Sequence, residues 1–97
     1  LLLLVDDVGG REVLDAVMAQ LHVEAPMRGR ELRAAAERGD ATTARRAAKD
    51  MAALAETVGA RRLVAATARL TSAERIDPAA VGEVERELAR MLAALEV

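Results

Sequence analysis

At 97 residues the chain has room for one small hydrophobic core. Its 14 basic and 16 acidic side chains leave a net charge of −2, which gives no overall pull toward a polyanion, and the absence of Phe, Tyr and Trp removes any stacking platform for single-stranded nucleic acid. The absence of Cys removes disulfides, thiolate nucleophiles and the common structural zinc sites.

Residues 1–5 form an apolar run far shorter than the roughly 20 residues a bilayer-spanning helix needs. No basic segment precedes the run, so it does not read as a signal peptide. The chain is expected to be cytoplasmic and a piece of a longer protein, with one domain over 1–97 and a lead-in at 1–9. From there on Ala, Leu, Arg and Glu dominate, all good helix formers. Gly9-Gly10 close the lead-in. Pro26 sits where a helix could start, Gly39-Asp40 give a stop followed by an N-cap, Gly59 a C-terminal stop, and Asp77-Pro78 a cap and first turn.

Between these marks the apolar spacing is helical. Val13, Leu14, Val17, Met18 and Leu21 form one stripe, and Ala44, Ala48, Met51, Leu54, Ala55 and Val58 form another. Leu63, Ala66 and Leu70 continue the pattern; Val81, Val84, Leu88, Met91, Leu92 and Leu95 give the most regular stripe. Helices are predicted near 11–24, 26–38, 41–58, 60–74 and 78–96. Connections of two to four residues imply antiparallel neighbours. The predicted class is all-α: an up-down antiparallel four-helix bundle with a short additional N-terminal helix or lead-in, its core built from Leu, Val, Met and Ala. A buried Leu92 is expected to be costly to truncate.

The nucleophile inventory is thin, with Ser72, five Thr and no Cys or Tyr. His22 is the one His, and it reads as an edge residue near a helix end rather than a general base. Asp6-Asp7 is a weak candidate for magnesium, better explained as loop or first-turn decoration. No enzyme activity, cofactor or metal is expected. Charge is unevenly laid out: residues 1–25 hold five acids against Arg11, whereas residues 28–49 hold seven bases against Glu31, Glu37 and Asp40. That basic shoulder could steer an acidic partner, although intrahelical pairs such as Arg46–Asp50 are the commoner use of such charges.

Val8-Gly9-Gly10-Arg11-Glu12-Val13-Leu14, then Leu21 through Ala25-Pro26, Leu32-Arg33 and Arg38-Gly39-Asp40, resembles the first half of a histidine-containing phosphotransfer (HPt) domain. Val58-Gly59-Ala60, Arg62-Leu63 and Ala68-Arg69-Leu70 are similar to the second half, so the resemblance covers residues 8 to about 95. It implies a helical bundle that relays a phosphoryl group between receiver domains through an exposed His in a His-x-x-Lys-Gly pattern. In the family that His lies nine residues after the Gly-Asp aspartate and ten before the turn glycine. Both rulers land on Lys49; the Lys and Gly of the pattern fall on Ala52 and Ala53. A register with Arg46 at the His position breaks both rulers and still supplies no nucleophile. A lysine amine of ordinary basicity, pKa about 10.4, is neutral in roughly 0.04% of molecules at pH 7.

The resemblance therefore implies a non-catalytic, HPt-like module that docks a receiver domain or a histidine kinase. Its partner-binding face would be Arg45, Lys49, Ala52, Ala53 and Glu56, which share one side of a helix. The alternative is a helical dimerisation or scaffolding domain in which the 81–95 stripe pairs between chains. Neither nucleic acid nor membrane insertion by this segment is expected. Residues 1–7 with Arg11-Glu12-Val13-Leu14 also look like the opening strand, acidic pair and first helix of a receiver domain. Nothing after residue 26 reads as a further strand.

Overall fold

Ala-rich stretches punctuated by glycine become four helices over residues 10–95, the part of the chain that the computed structural model describes: α1 Gly10–Glu37, α2 Ala41–Thr57, α3 Arg61–Ser72 and α4 Pro78–Leu95. The lead-in at 1–9, with Asp6-Asp7 and the receiver-like opening, lies outside the described residues. Each helix packs on its neighbour in the chain and α4 closes against α1. Turns of three, three and five residues (38–40, 58–60 and 73–77) leave no room for any but antiparallel neighbours. The all-α bundle predicted from periodicity is the observed fold.

Two turns share one construction. Gly39 and Gly59 have φ of +73° and +72°, where a Cβ would be strained. That left-handed step lets the Asp40 N–H donate to Ala35 O and the Ala60 N–H to Ala55 O, both at 2.9 Å, which satisfies carbonyls the helix ends would otherwise orphan. Asp40 then caps α2: its carboxylate accepts from the Thr43 N–H at 3.1 Å and from the Thr43 hydroxyl at 2.6 Å. These bonds to Thr43 hold the Asp40 carboxyl below its ordinary pKa. A depressed carboxylate stabilises the fold at neutral pH and loses that contribution as pH falls through its folded-state pKa. Asp40→Ala is therefore expected to lower the melting temperature at pH 7, with the gap to wild type narrowing once pH falls below the ordinary Asp value of about 3.9. Thermal melts of the two proteins at matched pH check this. Asp77 repeats the device before Pro78, accepting from the Ala79 N–H at 3.0 Å.

The structure corrects the reading of Pro26. One helix runs through it from Gly10 to Glu37, where two had been predicted. Proline removes the donor that His22 O would receive and typically costs a helix interior about 3 kcal/mol. The tertiary environment outweighs that, because Leu21, Ala25, Leu32 and Ala35 on both sides of Pro26 are buried on one continuous face. A break at residue 26 would take half of them out of register.

Among the described residues, seven of the sixteen buried apolar ones are alanine, so the helix axes lie close and few large side chains fill the space between them. α1 and α4 approach closely at Gly29, where a Cβ would stand 2.8 Å from Leu88 Cδ2. Arg33 of α1 forks onto both carboxylate oxygens of Glu85 beside that contact, and the pairing raises the Arg33 pKa. Two further corrections concern α4. Val81, Val84, Leu88 and Met91 face the core of their own chain, so the regular stripe closes one bundle and is not free to pair between chains. Leu92 is only half-buried, at the margin of that core.

A candidate docking face on helix α2

Phase along α2 decides what faces water. Ala44, Ala47, Ala48, Met51 and Ala55 are buried, and the opposite line carries Thr42, Arg46, Lys49, Ala53 and Glu56, all exposed. Lys49 stands at the middle of this line, as its spacing from Asp40 and Gly59 requires, and Ala53 lies one turn beyond it. Two of the five predicted face residues sit differently. Ala52 is half-buried on the flank of the helix. Arg45 is half-buried too, and its Nη2 donates to Ala73 O at 2.9 Å and to Glu74 O at 2.7 Å. It ties α2 to the chain leaving α3, one and two residues past the end of that helix. Its guanidinium is thus committed within the chain, not presented to a partner's carboxylates.

Arg46 takes the place that Arg45 was expected to hold. The predicted Arg46–Asp50 pair does not form; Asp50 lies 3.9 Å from Arg28 of α1, which also holds Glu31 at 3.1 Å. Among the described residues neither Arg46 nor Lys49 is in an ion pair. The signal was present in the sequence, since position 46 lies three residues before 49 and seven before 53, on the same side of a helix. From Arg46 to Glu56 the face runs about 15 Å along the helix axis. Two unpaired cations stand at its start, an Ala step at its middle and an acid at its end.

His22 departs from its predicted edge position. It lies inside α1, half-buried, with Nδ1 donating to Met18 O at 2.8 Å, while Nε2 is buried without a hydrogen-bond partner. A nitrogen buried in this way offers no lone pair to a phosphoryl donor outside the chain. A groove of about 520 Å³ between the start of α3 and the end of α4, floored by Ala60, Leu63, Met91 and Leu95, touches none of the α2 face. Among the described residues no three His, Cys, Asp or Glu side chains gather as a metal site would need, and no helix is long and apolar enough to cross a membrane.

No protein-family model matches the chain, and no match is found among curated proteins or solved structures.

Proposed function

We propose that this chain is a pseudo-HPt interaction module of two-component signalling, which docks a receiver domain or a histidine kinase in the cytoplasm and relays no phosphoryl group. The observation that carries the reading is the position of Lys49: exposed, mid-helix, and where two independent spacings put the family's phospho-accepting His. Relay through that position needs a nitrogen lone pair, which an ammonium lacks. Docking needs only the surface. Arg46 and Lys49 are free to meet the carboxylates around a receiver's acidic pocket, and the small side chain of Ala53 lets a partner's backbone or helix come close.

Titration of the chain against receiver domains by calorimetry tests this. Binding is expected to weaken with added salt, as contacts between exposed charges do. The Lys49→Glu, Ala53→Glu double variant is expected to bind at least tenfold more weakly, a loss of about 1.4 kcal/mol. Both positions are exposed, so its thermal melt should match wild type. Equal binding by both proteins removes the face. A stable phospho-form on Lys49 or His22 after incubation with a phosphorylated receiver overturns the non-catalytic reading.

A further inference from the structure

We infer that Arg46 and Lys49 read the phosphoryl group of a docked receiver, so that the chain binds the phosphorylated receiver in preference to the bare one. The inference rests on the docking reading above and adds to it the state of the partner that is recognised. Arg28, Arg33, Arg62 and Arg69 are each held by carboxylates of the chain itself, and Arg45 by carbonyls. Arg46 and Lys49 are exposed and in no ion pair among the described residues. No other two cations of that kind among those residues lie three or four positions apart. Sequence and fold both maintain this. Positions 45, 46, 52 and 53, the helical neighbours of Lys49, hold no acid. Asp50 is the one acid three or four places from Arg46, and α1 draws it off, since it lies 3.9 Å from Arg28. Like charges three apart on a helix repel, so an anion that bridges them relieves a repulsion the fold leaves standing.

Chemistry selects the anion. Cβ atoms three positions apart on one helix face are about 5–6 Å apart, and both side chains are long, so a guanidinium and an ammonium can converge on one group with several acceptor oxygens. A phosphoryl group offers three such oxygens and, on an aspartate, replaces one negative charge with about two. The planar fork of Arg46 matches two of the oxygens, and the Lys49 ammonium acts as a point charge beside them. A bare carboxylate has two oxygens and a single charge, so it satisfies one of the cations and leaves the other short. An ammonium at position 49 carries no lone pair, and the phosphoryl group recognised this way stays on the receiver. The module then reports the phosphorylated state and leaves it intact, where a nucleophile at the same place would consume it.

Calorimetry of the chain against one receiver domain, bare and with beryllium trifluoride on its phospho-accepting aspartate (a tetrahedral stand-in for the phosphoryl group), measures the preference. The loaded receiver is expected to bind at least tenfold more tightly, as one or two added charge-assisted hydrogen bonds supply. The ratio is expected to shrink as salt rises. Arg46→Gln with Lys49→Gln should abolish the preference, and Arg46→Lys, which keeps the charge and loses the fork, should reduce it. Both positions are exposed and the Gln pair removes a repulsion, so the thermal melt should not fall. A preference that persists in the double Gln variant overturns the inference, because the receiver's own change of shape then supplies it. So does an undiminished ratio in Arg46→Lys, which reads out even where the double variant binds too weakly to measure. Equal binding of both forms by the unsubstituted chain, or tighter binding of the bare one, also overturns it and leaves docking on α2 standing. Binding of neither form removes both.

Discussion

Leu32→Ala is expected to cost about 2–5 kcal/mol of unfolding free energy and to lower the melting temperature by about 10–40 °C. Leu32 is fully buried in the α1 stripe that runs on past Pro26. Its loss is felt more than a generic leucine's because so much of the surrounding core is alanine. Helices already in contact through Ala side chains cannot draw closer to fill the space a removed isobutyl group leaves, so the cavity persists and its cost adds to the lost transfer energy. Leu92→Ala is the comparison. Its side chain is half-buried at the core margin and relaxes toward water, so about 1–2 kcal/mol is expected. Chemical denaturation of both variants, followed by circular dichroism, measures the difference. A Leu92 variant that loses as much as the Leu32 variant would mean that the core is centred nearer the α4 terminus than the structure has it.

Legibility in the sequence followed the range of the force at work. Gly39-Asp40, Gly59 and Asp77-Pro78 were readable because caps and left-handed turns are decided within four or five residues, and each is found where its chemistry puts it. Pro26 misled for the complementary reason. Its local preference is for a helix start, and what overrules it is burial of Leu21, Ala25, Leu32 and Ala35, on both sides of it, against α2 and α4. Gly29 was equally silent, since only the approach of Leu88 from α4 gives it a role. On α2 the buried stripe predicted the exposed line well enough to put Lys49 and Ala53 on it. It could not show that Arg45, one position before Arg46, spends its guanidinium on carbonyls 28 and 29 residues further along the chain. Val13 was read as part of the inward stripe of α1, and its 43% exposure takes it off that face.

If the proposed reading of position 49 holds, Lys49→His is expected to accept phosphate from a phosphorylated receiver at least tenfold above the unsubstituted chain. The argument is chemical. An imidazole of ordinary pKa, about 6.5, is about three-quarters neutral at pH 7 and then carries a lone pair on one ring nitrogen. That nitrogen attacks the phosphorus of the receiver's aspartyl phosphate, an N–P bond forms, the P–O bond to the carboxylate breaks, and the carboxylate leaves with its electron pair; the ring keeps its N–H and becomes cationic. Position 49 already presents its side chain for this, being exposed in mid-helix with Ala53 one turn away. Ala52→Lys with Ala53→Gly, added to Lys49→His, completes the family's pattern and is expected to raise uptake further. Ala53→Glu added to Lys49→His should abolish it by blocking the receiver's approach. Intact-mass detection of an acid-labile adduct on the Lys49→His chain reads the outcome. A folded Lys49→His variant that binds a phosphorylated receiver yet takes up nothing would mean that position 49 does not face the phosphoryl group, and that the match of both spacings to the family's His is a coincidence of length.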